Sequence, residues 1–173
     1  MAVSSRLRFQ MKTLLFETSR EDWAFVFSAS LVWALSLLVT LWDFVVLQEM
    51  TYRLSFVSAA GLALFIAGVI IRAVAKRTLG KYYSYGLRTL PEHKLVTHGI
   101  YKHIRHPISL AAIIYDIGIP LFFSSLYGFL IMLGLVPCIL YRVRIEERML
   151  LGRFGDEYRE YMKRTRRMIP YLY

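Results

Sequence analysis

Long apolar runs alternate along this chain with short, strongly basic segments. Residues 23–47 are nearly uncharged, and only Asp43 near the end interrupts them. A second run covers 54–75, with Arg72 close enough to its end to snorkel toward the interface. Both exceed the roughly 20 residues that a helix needs to cross the hydrocarbon. Residues 107–123 form a shorter run that carries Asp116 and Pro120, and 126–145 form a fourth that closes on Tyr141-Arg142-Val143-Arg144. Only Ser124-Ser125 separates the last two, which forces an antiparallel helical hairpin. The pattern predicts an all-α, polytopic membrane helix bundle with four transmembrane helices. Residues 7–16 would add a fifth, N-terminal helix, read as amphipathic and lying in the interface.

Beyond the fourth run, residues 144–167 alternate charge and hydrophobe, with Met149, Leu150, Leu151, Phe154, Tyr158 and Tyr161 at helical spacing. Gly152 and Gly155 predict a break. This part reads as a cytoplasmic helical segment that continues the fourth span and folds back. Residues 169–173, with two tyrosines, would return to the membrane surface.

Composition agrees with a membrane protein. The 173 residues are 57% hydrophobic, yet 22 Lys and Arg face only 12 Asp and Glu. Greasiness and positive charge coexist when the charges are segregated into loops. A nucleic-acid binder would instead spread basic residues over a polar face, so no nucleic-acid partner is expected. Arg6, Arg8, Lys12 and Arg20 precede the first run. Seven basic residues lie in 76–106 and nine from Arg142 onward, whereas Ser124-Ser125 has none and 48–53 pairs Arg53 with Glu49. This alternation places both termini and the 76–106 segment in the cytoplasm. No cleavable signal is expected, because the first 22 residues are polar and mixed in charge. Cys138, alone in an apolar run, reads as a small buried hydrophobe.

Candidate chemistry concentrates in one place. All four histidines, His93, His98, His103 and His106, fall where a basic segment meets the third run. A metal site is not expected: no cysteine or acidic residue lies between His93 and His106, while Lys94, Lys102 and Arg105 would repel a cation. Pro107 suits the first position of a helix, whose free amides and positive dipole end would suit a carboxylate. Leu95-Val96 offers an apolar strip, and Gly99 with Tyr101 a turn beside an aromatic wall. Two readings stay open for this stretch, a cofactor cradle and an interfacial loop with basic and aromatic anchors. The hairpin brings its end beside Arg142 and Glu146, four apart and so on one helix face. Those two are either a salt-bridged helix end or a pair in which Arg142 holds an anion and Glu146 accepts hydrogen bonds. Asp116 is an intramembrane carboxylate, left outside the site. No Gly-rich dinucleotide or phosphate loop is present.

The spacing His93-x-Leu95-Val96-Thr97-x-Gly99-x-Tyr101-x-x-x-Arg105-His106-Pro107, then Glu146-Glu147, then Phe154-Gly155-x-Glu157-Tyr158-x-x-Tyr161 and Ile169-Pro170, resembles the isoprenylcysteine carboxyl methyltransferases. The resemblance covers about the last 80 residues. It implies an S-adenosylmethionine-dependent enzyme that esterifies the C-terminal carboxylate of an isoprenylated cysteine, in a protein or a small prenylcysteine. It implies that His93, Lys94, Leu95, Val96, Tyr101, His106, Pro107, Ile108, Ser109 and Glu146 line the cofactor pocket, and that Arg142 meets the substrate carboxylate. Ser109 stands where the family usually has tyrosine, so one aromatic wall is missing. Implied partners are a prenylated cysteine or other lipidic carboxylate and the lipid bilayer. The implied site is the cytoplasmic face of a prokaryotic plasma membrane, or of the endoplasmic reticulum in a eukaryote. The whole chain reads as a single membrane-embedded methyltransferase domain, with N-terminal helices in 1–75 and the catalytic part in 76–173. Alternatives are a phospholipid or other small-lipid methyltransferase of the same architecture, an NADPH-dependent sterol-reductase-like enzyme, and a non-enzymatic membrane scaffold.

Overall fold

The computed structural model describes residues 3–49, 54–83 and 95–168, with side chains described from Trp23 onward except that of Lys81. Six helices carry the architecture: α1 Val3–Trp42, α2 Phe56–Leu79, α3 Pro107–Phe122, α4 Leu126–Met132, α5 Leu135–Phe154 and α6 Asp156–Arg164. Among the described residues the extended pairing is a single bridge between Ile104 and Arg166. Among the described residues three helical stretches are long and apolar enough to cross a membrane, Trp23–Leu47, Phe56–Leu79 and Leu126–Phe154, while Pro107–Phe122 is apolar but shorter. The chain is thus a helical integral membrane protein.

Two elements differ from the sequence expectation. Residues 7–16 belong to α1, one continuous helix of 40 residues, rather than to a separate interfacial helix. Arg20, Glu21 and Asp22 interrupt the hydrophobic pattern without interrupting the helix, because none of them is a strong helix breaker. The stretch 126–145, expected as one uninterrupted helix, is broken at Leu133–Gly134. Pro137 explains the break. It has no N–H to give the Leu133 carbonyl and its ring would collide with that group. The Leu133 carbonyl accepts instead from Val136 N at 3.1 Å, a tighter turn.

Packing between helices relies on close backbone approach. A Cβ on Gly61 would lie 2.8 Å from the Gly118 carbonyl oxygen, and one on Gly118 would lie 2.7 Å from the Gly61 carbonyl oxygen. Only glycine at both positions lets α2 and α3 come this close, the usual device where lipid removes the hydrophobic drive for helix association. Helix α1 lies instead along α4 and α5, where Ser36 Oγ donates to the Gly128 carbonyl at 2.8 Å. Asp116, buried in α3, accepts a 3.0 Å hydrogen bond from Trp33 Nε1 of α1. The bundle therefore satisfies this intramembrane carboxylate with a donor from a neighbouring helix.

The expected hairpin is present. Ser125 caps α4 by accepting from Gly128 N at 3.1 Å, after a turn in which Ser124 adopts a positive φ of 54°. Met132, Leu135, Ile139, Val143 and Met168 form the buried core, joined by Phe25 and Val32 from α1 and Leu110 and Ile113 from α3. Outer positions are apolar and uncovered: Trp23 is 73% exposed and Phe56 91%. Side chains of that kind need lipid around them.

Candidate active site

The turn before α3 and the far end of α5 meet, as the short hairpin requires. Pro107 occupies the first turn of α3 with His106 just before it. The preceding strand-like stretch is held by the tail after α6. Arg105 N donates to the Arg166 carbonyl at 2.8 Å, His106 N to the Arg167 carbonyl at 3.0 Å, and Arg166 N to the His103 carbonyl at 3.0 Å. Gly155, at φ +52°, ends α5 and reverses the chain so that α6 can deliver this tail. From α6, the Tyr161 hydroxyl donates to the Tyr101 carbonyl at 2.6 Å.

Glu147 joins these pieces. Its Oε1 lies 2.9 Å from Arg105 Nε and its Oε2 2.7 Å from Arg167 Nη2, while the side chain is only 6% exposed. Arg105 also donates to the Thr165 carbonyl at 2.6 Å and the Met162 carbonyl at 3.1 Å. A buried carboxylate is tolerable here because two guanidinium groups partner it. Tyr158 packs in the same region, 1% exposed, with no hydrogen-bond partner for its hydroxyl among the described residues. Burial pushes the Tyr101 and Tyr158 phenols well above their ordinary range, so both stay neutral.

His106 sits between two carboxylates, with Nε2 3.4 Å from Glu147 Oε1 and Nδ1 3.5 Å from Glu146 Oε2. Burial opposes its protonation, but the hydrogen bonds and charges of Glu146 and Glu147 more than offset this and raise its pKa above 6.5. An imidazolium donates from both nitrogens and so can face a carboxylate on each side. Glu147 is enclosed, whereas the Glu146 side chain is 36% exposed. One turn earlier on α5, the Arg142 guanidinium carbon stands 4.8 Å from the centre of the Phe25 ring of α1.

Of the residues implied for the site, the fold brings His106, Pro107 and Glu146 together, with Arg142 on the adjoining turn. Tyr101 is buried and joins the cluster through Tyr161 and the tail. Leu95 and Val96 are half-buried ahead of the turn Gly99–Lys102, and Ile108 and Ser109 are half-buried in the first turn of α3. His93 and Lys94 lie outside the described residues, as do 169–173. His98 and His103 are exposed. Arg105, Glu147, Thr165 and Arg167 receive no site role in the sequence reading. For Arg105 and Glu147 the signal was their place in the motif itself. The pairing of 103–106 with 166–167 has no periodic signature to find it by. A cavity of about 700 Å³ lined by Gln48, Ser55, Ser124 and Phe129 lies at the hairpin end of the bundle, away from all these groups.

These features define a polytopic helical membrane protein with a charged, partly enclosed site where its helices leave the apolar bundle. A family model, the isoprenylcysteine carboxyl methyltransferase (ICMT) family, matches residues 61–151, more than half of the chain. The chain belongs to that family. It is 33% identical over 120 residues to a probable protein-S-isoprenylcysteine O-methyltransferase of Oryza sativa subsp. indica, covering 68% of this chain and 63% of that one. To the protein-S-isoprenylcysteine O-methyltransferase of Rattus norvegicus it is 30% identical over 123 residues, 69% of this chain and 43% of the relative. The chain thus spans less than two thirds of the length of these relatives. A solved structure of the eukaryotic intramembrane Ras methyltransferase ICMT superposes with a TM-score of 0.70 at 24% identity, over 83% of this chain and 52% of that one. That likeness is one of fold.

Proposed function

We propose that this protein transfers a methyl group from S-adenosylmethionine to the C-terminal carboxylate of an isoprenylated cysteine, giving a methyl ester. The observation that carries this reading is the line Arg142, Glu146, His106 on two adjoining helix ends, within a chain of this family. In this reading the chain crosses the membrane four times, through the span in α1, through α2, through α3 and through α4 with α5, with both termini and the site in the cytoplasm. The alternating loop charge supports that orientation. Residues 76–173 form the catalytic part, and 1–75 complete the bundle.

The residues present suit the cofactor. Glu146 engages His106 through one oxygen and is exposed enough to accept hydrogen bonds from a hydroxylated or cationic ligand through the other. Leu95 and Val96 supply the apolar strip for a ring system, and Tyr101, Pro107, Ile108 and Ser109 complete the lining. When bound, S-adenosylmethionine supplies an electrophilic methyl group on a sulfonium centre.

What remains for the protein is positioning and exclusion of water. An acceptor carboxylate, with an ordinary pKa near 4, is already ionised at neutral pH, so no side chain has to act as a general base. Arg142 can hold it in a forked, two-point geometry that fixes its approach. Donor and acceptor carry opposite charges that cancel as the methyl group passes, and a partly desolvated site at the membrane edge favours that change. The isoprenyl chain stays in lipid while the water-soluble cofactor comes from the cytoplasm.

Calorimetry of the detergent-solubilised protein with S-adenosylhomocysteine tests the cofactor half of this reading. Binding is expected, and its absence from folded protein would remove every methyltransferase reading at once.

A further inference from the structure

Arg142 does not stand alone on its helix. Its guanidinium carbon is 4.8 Å from the centre of the Phe25 ring, and Phe25 comes from α1, a helix more than a hundred residues away in sequence. Phe25 is half-buried and packed against the core of Met132, Leu135, Ile139, Val143 and Met168, so its ring is fixed by that packing. We infer that Phe25 is a positioning residue for the acceptor carboxylate, acting through the Arg142 guanidinium that stands over its ring.

The geometry of the two groups gives the reason. A guanidinium is planar, and its N–H donors all lie in that plane. An aromatic ring attracts it electrostatically through the face of the ring. Arginine otherwise loses considerable rotamer freedom when it is held in one place. A ring anchored in the core takes up part of that loss before any acceptor arrives, which is how pre-organisation raises affinity. The site thereby gains a wall from the N-terminal helices. Arg142 meets Phe25 of α1, and Glu146 follows it one turn further along α5. The carboxylate is bound on the side of the site that α1 controls, and the cofactor on the side built from 95–109.

This inference rests on the proposed role of Arg142, and the experiment separates the two. Methyl transfer to N-acetyl-S-farnesylcysteine and S-adenosylhomocysteine binding are measured for the parent, Arg142→Ala, Phe25→Leu, Phe25→Tyr, and the parent carrying pentafluorophenylalanine at position 25. The last keeps the ring's shape and reverses the sign of its face. Phe25→Leu and the fluorinated ring should raise the acceptor KM roughly fivefold, as expected for one partly buried cation–π contact. Cofactor affinity should stay within about twofold, and Phe25→Tyr should restore the acceptor KM. If Arg142→Ala raises the acceptor KM while the fluorinated ring leaves it unchanged, the positioning role is wrong and the role of Arg142 stands. An unchanged acceptor KM in Arg142→Ala overturns both. Should Phe25→Leu and the fluorinated protein lose cofactor binding together with acceptor use, Phe25 is a packing residue and the inference fails.

Discussion

Replacing Glu147 by glutamine should release the C-terminal tail from the site. The carboxylate takes Arg105 Nε at 2.9 Å and Arg167 Nη2 at 2.7 Å, and both arginines belong to the paired stretches 103–106 and 166–167. Hydrogen bonds to charged groups contribute about 1.5–3 kcal/mol each. Arg167 is 23% exposed, so its share is screened by water and is set at about 1 kcal/mol. Arg105 is 9% exposed but keeps its bonds to Met162 and Thr165, so its loss is also taken below that range, at about 1 kcal/mol. Together these shift the opening of the tail by about 2 kcal/mol, roughly a 30-fold larger open population. Limited trypsin digestion in detergent reads this directly, because cleavage after Arg166 and Arg167 needs the open tail. Mass spectrometry should show cleavage there accelerated by roughly that factor, with sites in the exposed part of α6 changed much less. A rate within about twofold of the parent would refute the view that Glu147 fastens the tail to the site.

Glu146→Ala should weaken S-adenosylhomocysteine binding by about tenfold, the loss of one charge-assisted hydrogen bond, while Arg142→Ala should leave that affinity near the parent and raise the acceptor KM instead. Calorimetry and initial-rate kinetics separate the two roles, and equal cofactor affinity in Glu146→Ala and the parent would contradict the first. His106 has a raised pKa in the fold, so its protonated form favours the folded state. That contribution is complete below pH 6.5 and is lost as pH rises through the folded pKa. The difference in thermal midpoint between the parent and His106→Gln should therefore shrink as pH is raised above 6.5, and a difference that grows would invert the assigned charge state. Gly118→Val should destabilise the bundle by about 3 kcal/mol by pushing α3 off α2, seen as a lower thermal midpoint or loss of folded protein. A substitution at exposed Gly152, where an added Cβ meets nothing within 4 Å, is the control and should cost little.

Much of this architecture is legible from patterning. The nearly uncharged run at 23–47 coincides with a membrane-length helix in the structure, and Ser124-Ser125 specifies the hairpin because two residues leave no room for any other connection. The hairpin in turn predicts that His106 and Glu146 are neighbours, which they are. Helical spacing, however, does not decide which of two adjacent glutamates turns inward, and the enclosed one is Glu147. The break at Leu133–Gly134 was written in Pro137, yet the continuous hydrophobicity of the run conceals it. The mixed-charge residues at 20–22 suggest a boundary because pattern is read from polarity. Backbone helicity depends on propensity and passes straight through them. Phe25 against Arg142 and Glu147 against Arg167 are contacts between distant segments, and no local periodicity encodes them.

Transfer of a labelled methyl group from S-adenosylmethionine, measured side by side on N-acetyl-S-farnesylcysteine and on phosphatidylethanolamine, tests the proposed function most directly. Base-labile methyl ester on the farnesylcysteine, lost in Arg142→Ala at the same acceptor concentration, is the expected result. Methylation of the phospholipid amine with none of the farnesylcysteine carboxylate would contradict it.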